Sequence, residues 1–175
     1  MAFAAVGAVS SVAPLIPTHR QCKVEIANGC STYTLSNVSV YTKSGSGCVP
    51  PTIASGASGN GLFTKTQGAA RGAVGVFTYD LLNTRTKNIS EKIAVMYSVP
   101  YDFNLYSNWY ALGIFPNYKE CDYDLYCKMY YENDKTFVRG KAKGPSLTYK
   151  GHHVTIRATM SDSFQPIMMV QVSEN

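Results

Sequence analysis

The chain has 175 residues, with 16 Lys and Arg against 11 Asp and Glu, which gives a formal net charge of +5. This length suits one domain with a substantial core. This mild basic excess is well below the dense positive charge of nucleic-acid-binding proteins, which argues against that class of protein. It is compatible with binding to an anionic or zwitterionic membrane surface, or with simple solubility.

The first segment in chain order, residues 1–16, is apolar and contains no charged side chain. It lacks the basic start of a secretory signal peptide. Pro14 and Pro17 interrupt it, and it is shorter than the ~20 apolar residues of a membrane-spanning helix. We therefore divide the chain into an N-terminal segment, 1–21, and a folded domain, 22–175.

Short segments rich in Val, Ile, Thr and Tyr make up most of the remaining chain. In chain order, the predicted strands are 22–27, 31–42, 72–81, 91–99, 110–115, 146–150, 152–160 and 166–173. Several of them alternate polar and apolar residues, as a strand with one buried face does. Strands separated by Gly, Ser, Pro and Asn clusters predict a mainly β, single-domain antiparallel β-sandwich. The glycine-rich stretch 43–61 lacks the Lys-Ser/Thr of a phosphate-binding loop and is predicted to be a solvated surface loop.

An aromatic-rich segment spans residues 98–110, SVPYDFNLYSNWY. It holds five rings, at Tyr101, Phe103, Tyr106, Trp109 and Tyr110. The Pro, Asp, Asn and Ser residues between them suit neither a continuous strand nor the interior of a helix. We therefore expect a loop that holds its rings outward, an arrangement that no packed core requires.

One segment breaks the β pattern. Residues 121–134, CDYDLYCKMYYEND, contain neither Pro nor Gly and predict a short helix over about 121–132. Tyr123, Tyr126 and Tyr130 would share one face of this helix. Such a stripe is either part of the core or, together with the aromatic-rich segment, an aromatic cage for a quaternary ammonium group such as choline. The residue pattern leaves both interpretations open.

Residue patterns for metal binding and catalysis are missing from the sequence. The chain has five cysteines, so at least one is unpaired in a monomer, and no closed disulfide framework is implied. No Cys/His spacing suits a metal, and we expect neither a metal nor a cofactor. No Ser/His/Asp or paired-carboxylate pattern indicates an enzyme.

Four motifs together resemble one protein family. They are GAVGVFTYDL, KIAVMYSVPYDFNLYSNWYALGIF, LYCKMYYE and FVRG, in this order. The chain is similar, over about residues 23–173, to the actinoporins, the sphingomyelin-dependent pore-forming toxins of sea anemones, and more so to the actinoporin-like proteins of fish. This resemblance implies a β-sandwich flanked by two helices, a fold that also occurs in fungal fruit-body lectins.

The resemblance also implies a binding site. It carries a phosphocholine pocket over to eight residues, which are Ser44, Val74, Ser98, Pro100, Tyr106, Tyr126, Tyr130 and Tyr131. It carries membrane contact over to Leu105, Trp109 and Tyr110. Leu105 stands where the anemone toxins have a Trp, and Arg139-Gly140-Lys141 stands where they have Arg-Gly-Asp, so no role of that Asp in assembly transfers to this chain.

The function implied is that of a pore-forming cytolysin. A monomer in solution would bind phosphocholine lipids such as sphingomyelin, oligomerise on the membrane and insert its N-terminal segment to form a cation-permeable pore. We expect a secreted or released protein that acts at target cell membranes, with cytoplasmic storage as an alternative. A non-lytic lectin-like or lipid-binding defence protein on the same fold is the second hypothesis, because residues 1–16 are short and uncharged.

Overall fold

The computed structural model describes residues 19–175, so most of the predicted N-terminal segment 1–21 lies outside the described residues. Between residues 19 and 175 the chain forms eleven strands and one helix. The strands are β1 Gln21–Asn28, β2 Tyr33–Ser44, β3 Ser46–Cys48, β4 Ser58–Thr64, β5 Ala73–Asn83, β6 Ile89–Val99, β7 Trp109–Pro116, β8 Phe137–Lys141, β9 Leu147–Lys150, β10 Val154–Met160 and β11 Ile167–Glu174. The helix, α1, spans Tyr123–Tyr131. No helix in this described part is both long and apolar enough to cross a membrane.

The strands form two sheets that face each other. One sheet has six strands in the order β3-β4-β1-β11-β10-β9, and the other has five in the order β2-β5-β6-β7-β8. All pairs are antiparallel except β1 with β11, which is parallel. The predicted β-sandwich is confirmed, and the expectation of purely antiparallel pairing is corrected at this one pair. A parallel pair needs a long crossover connection, and here the rest of the domain supplies it.

Apolar side chains fill two layers. The sandwich core lies between the sheets and contains rings such as Phe63, Phe77 and Tyr97. The helix–sheet core lies between α1 and the outer face of the five-stranded sheet. β6 is buried on both faces from Lys92 to Val99. This double burial explains why its sequence reads as a nearly continuous apolar run.

The eight predicted strands are all present, with small shifts at their ends, and α1 lies within its predicted range. The prediction of a solvated loop at 43–61 is wrong, because this stretch contains β3 and the start of β4. Glycines in β4 hide the strand pattern, and they are needed for close packing. A Cβ at Gly61 would lie 2.5 Å from Val49 Cγ1, and one at Gly59 would lie 2.7 Å from Pro50 Cγ.

Candidate functional site

Four of the predicted site residues lie on a single rung at the end of the five-stranded sheet. Ser44 is paired with Val74, Val74 with Ser98, and Ser98 with Trp109. The rung continues from Trp109 to Lys141 on β8. Residues paired across neighbouring strands lie on the same face of a sheet. The fold therefore brings together residues that are 97 positions apart in the sequence between Ser44 and Lys141.

Strand alternation separates Trp109 from its neighbour Tyr110. Trp109 faces α1, where its ring centroid is 6.5 Å from that of Tyr130. Tyr110 points the opposite way into the sandwich core, is 1% exposed, and donates a hydrogen bond to the Ala158 carbonyl at 3.4 Å. The expectation that Tyr110 contacts a membrane is therefore corrected, because successive residues of a strand point to opposite faces.

Helix α1 lies over this end of the sheet. Asp122 caps its N-terminus, with Oδ1 accepting a hydrogen bond from the Leu125 amide at 2.9 Å. The buried face consists of Leu125, Tyr126 and Met129. The predicted tyrosine stripe is therefore not one uniform face, because Tyr123 is 51% exposed while Tyr126 is 3% exposed.

Three tyrosines of α1 form a ring cluster. The rings of Tyr126 and Tyr130 are stacked, with centroids 5.6 Å apart and planes 22° apart. Tyr131 meets Tyr130 edge to face at 4.7 Å. Tyr126 is the buried floor of the cluster, Tyr130 is half-buried, and Tyr131 is exposed. The exposure of the rings therefore increases from Tyr126 through Tyr130 to Tyr131, which suits a shallow binding surface.

The hydroxyl groups of Tyr126 and Tyr130 remain protonated at neutral pH. Burial raises the pKa of Tyr126, and the neighbouring Tyr130 and Tyr131 raise it further. The pKa of Tyr130 is likewise raised by burial and by Tyr131, with Tyr106 acting in the same direction. Ser98 acts in the opposite direction and lowers the pKa of both tyrosines. Protonated phenols can donate hydrogen bonds to the oxygens of a phosphate group.

Arg139 supplies the positive charge of the cluster. Its guanidinium carbon lies 4.2 Å from the centroid of the Trp109 ring, and its Nη2 donates to the Tyr130 carbonyl. Lys141 Nζ lies 5.6 Å from the same indole ring. Trp109 is thus held between β8 and α1 by cation–π contacts, rather than projecting from a loop. Neither cation is among the site residues predicted from the sequence, although Arg139 lies in the FVRG motif.

A third cation, Arg20, organises the aromatic-rich segment. Arg20 is buried, and its guanidinium donates to the carbonyls of Pro100 at 3.2 Å and Tyr101 at 2.7 Å. The same group lies 5.2 Å from the rings of both Tyr101 and Phe103. These two rings therefore hold the loop against the domain. The expectation that the loop presents all its rings outward is wrong for both of them.

The outer part of the loop is a turn around Asp102. Its carboxylate accepts from the Asn104 amide at 2.9 Å, and its carbonyl accepts from the Tyr106 amide at 3.0 Å. This Asx turn exposes Leu105 to 72% and Tyr106 to 60%. Tyr106 and Ser44 also line a cleft of about 480 Å³. The exposed tip thus lies beside the rung and the tyrosine cluster.

Residues 9–174 match the sequence model of the sea anemone cytotoxic protein family. The chain belongs to this family. Among its actinoporin relatives, deep-sea actinoporin Cjtox I of Cribrinopsis japonica is 39% identical over 67 residues, covering 38% of this chain and 28% of that protein. Cytolysin tenebrosin-B of Actinia tenebrosa is 33% identical over 105 residues, covering 60% and 45%.

The family match supports the fold, and a solved structure agrees with it. The lipid binding protein Nakanori superposes with a TM-score of 0.66 at 13% identity, over 97% of this chain and 75% of that protein. The actinoporin resemblance inferred from the motifs is confirmed. The matched part of this chain spans 26% to 53% of the length of these relatives.

Proposed function

We propose that this family member is a pore-forming cytolysin that recognises phosphocholine headgroups at the tyrosine cluster. The observation that carries the proposal is the convergence of Tyr126, Tyr130 and Tyr131 over the Ser98–Trp109 end of the sheet, next to an exposed loop tip. Membership of the sea anemone cytotoxic protein family and the cytolysin and actinoporin names of its relatives support a membrane-damaging activity.

The chemistry of phosphocholine matches the groups present. A trimethylammonium group is attracted to the faces of aromatic rings, with about 0.5 to 2 kcal/mol per contact. Tyr106 would provide such a face from the exposed loop tip, and Tyr130 would provide one from the tyrosine cluster. The phosphate would accept hydrogen bonds from tyrosine hydroxyls, and Arg139 would balance its charge.

Membrane approach follows from the exposed tip. Leu105 and Tyr106 are the exposed apolar and amphipathic side chains of the loop. Tyrosine with an apolar neighbour suits the interface between headgroups and hydrocarbon. Trp109 lies one layer further in, against Arg139, and we propose that it reports headgroup binding rather than entering the bilayer itself.

The binding step is tested with vesicles of phosphatidylcholine or sphingomyelin, with soluble phosphocholine as competitor. Tyr130→Ala removes a ring and a hydroxyl donor, and we expect a loss of affinity of about tenfold or more. Tyr118→Ala is the matched control, because Tyr118 is 80% exposed and follows the far end of β7. If folded Tyr130→Ala protein binds as tightly as the control, the tyrosine cluster is not the site.

Pore formation is tested separately by dye release. We propose that subunits assemble on the membrane and insert the apolar segment 1–16, which lies outside the described residues. Deletion of residues 2–16 should then preserve vesicle binding and abolish release. Release by the deletion variant would contradict insertion of this segment. Binding without release by the full chain would favour the second hypothesis, a non-lytic lipid-binding protein.

A further inference from the structure

The cleft beside the exposed loop tip adjoins the tyrosine cluster and differs from it in charge. The cleft has a volume of about 480 Å³ and shares Ser44 and Tyr106 with the candidate site. Three charged side chains line it, those of Lys43, Arg71 and Asp102. Choline recognition uses none of these charges, so the cleft is left without an assigned role.

The two cations are held by closely packed backbone. Ser44, which follows Lys43, donates its hydroxyl to the Gly72 carbonyl at 2.9 Å. Gly72, which follows Arg71, lies so close to the end of β6 that a Cβ there would be 1.9 Å from the Val99 carbonyl oxygen. The backbones that carry Lys43 and Arg71 are therefore fixed relative to each other and to the sheet.

Neither cation forms an ion pair with another side chain of residues 19–175. The ion pairs within residues 19–175 join Lys23 to Glu25, Lys92 to Asp80 and Lys128 to Asp134, so neither Lys43 nor Arg71 takes part in one. The cleft thus presents two positive groups and one carboxylate. Arg71 is exposed, and its fork of N–H donors suits a phosphate or a carboxylate.

We propose that this cleft is a second headgroup site that binds phosphatidylserine. That headgroup carries a phosphate, a carboxylate and an ammonium group, the reverse of the charges on Lys43, Arg71 and Asp102. The two cations would hold the phosphate and the carboxylate, and Asp102 would accept from the ammonium. The inference goes beyond the proposed choline site and rests on the proposal that this end of the domain meets a membrane.

The experiment compares three vesicle compositions: phosphatidylcholine alone, and phosphatidylcholine with equal fractions of phosphatidylserine or phosphatidylglycerol. Phosphatidylglycerol has the same net charge as phosphatidylserine but no ammonium. We expect the native chain to bind serine vesicles most tightly. Arg71→Gln should lower that affinity about fivefold, the effect of one cation at an anionic surface, and should leave binding to phosphatidylcholine alone unchanged.

Two further variants distinguish a specific phosphatidylserine site from non-specific electrostatic attraction to an anionic membrane. Lys143→Gln is the matched control, because Lys143 is exposed and lines a neighbouring cleft with Tyr106. It should weaken binding to both anionic vesicles equally and keep the preference for serine over glycerol. Asp102→Asn retains an oxygen for the turn but not the charge, and it should remove that preference.

Three results would overturn the proposal. They are equal binding of the native chain to serine and glycerol vesicles, an Arg71→Gln variant that keeps the serine preference, and competition by inorganic phosphate as strong as that by soluble glycerophosphoserine. If the proposed choline site is wrong, the native chain will not bind vesicles of phosphatidylcholine alone. That result differs from the three above, so the experiment distinguishes a failure of the choline site from a failure of the phosphatidylserine site.

Discussion

At the scale of single residues, Tyr126 has a structural role in the core and a proposed role in lipid binding, and one substitution can separate the two. Its ring is buried in the helix–sheet core, and its hydroxyl reaches Ser98 at the end of the sheet. Replacing this residue with Ala removes a buried ring, which typically costs about 3 to 5 kcal/mol of stability. A loss of lipid binding in that variant would therefore not identify a contact with the ligand.

Tyr126→Phe gives the sharper prediction, because it keeps the ring. We expect the variant to fold with nearly unchanged stability and to bind phosphocholine vesicles about tenfold more weakly, since a hydrogen bond to a charged group contributes about 1.5 to 3 kcal/mol. Urea unfolding and vesicle co-sedimentation measure the two effects. Unchanged binding would mean that this hydroxyl is only a partner of Ser98.

Trp109 allows a second prediction at this scale, because it is the single tryptophan of the chain. Its indole emission reports the contact with Arg139 directly. Arg139→Gln removes the cation and should change the emission maximum and lower stability by about 0.5 to 2 kcal/mol. Arg157→Gln serves as the control, because Arg157 is an exposed residue of β10 in the other sheet. Identical spectra of the Arg139→Gln variant and the native protein would contradict the cation–π contact.

At the scale of elements, α1 depends on its cap and on its packing. The helix has only nine residues, which is too short to be stable alone in water. Its contacts with the sheet, through Leu125, Tyr126 and Met129, supply most of its stability. The orientation of the tyrosine cluster is therefore decided by how the helix lies on β5, β6 and β7.

The cap of α1 is testable by itself. Asp122→Ala removes the acceptor of the Leu125 amide and should cost about 1 kcal/mol of stability. Asp124→Ala is the control, since Asp124 lies in the same first turn without serving as the cap. The free energies of unfolding come from urea titrations. An Asp122→Ala loss no greater than that of Asp124→Ala would contradict the cap.

At the scale of the whole molecule, buried thiols and phenols link stability to alkaline pH. Burial raises the pKa of Cys22 to about 12 and that of Cys30 to about 11, and it also raises the pKa values of Tyr79 and Tyr97. The folded state therefore holds these protons more tightly than the unfolded state. The resulting stability is fully present below the unfolded pKa values and is lost as the pH rises.

We accordingly expect the urea midpoint to be constant between about pH 6 and 8 and to fall from about pH 9 upward, where unfolded thiols and then phenols begin to ionise. Cys22→Ala should make this fall less steep, because it removes the most strongly shifted thiol. Unfolding curves at constant ionic strength measure the effect. Equal midpoints at about pH 8 and 10 would contradict it.

The local pattern of the chain predicts much of the fold. Alternation and β-rich composition located eight of the eleven strands found within residues 19–175, and the absence of Pro and Gly located α1. The motif order indicated the family, which the match over residues 9–174 confirms. These signals are readable because they lie within a few neighbouring residues. The glycine-rich strand β4 was not predicted, because its glycines are required by close contact with Val49 and Pro50 and do not show a strand pattern.

The amino-acid sequence by itself thus determined the β-sandwich, the position of the helix and the family. The residues of the phosphocholine site, which the family resemblance implies, remain a prediction. Tertiary structure alone decided that Tyr110 is core, that Arg20 holds a loop 81 positions away through Tyr101, and that Arg139 covers Trp109. It also decided that β1 and β11 pair in parallel. The physical reason is that these features depend on pairing register and on contacts between distant segments, whereas local patterns report only which face of an element is apolar.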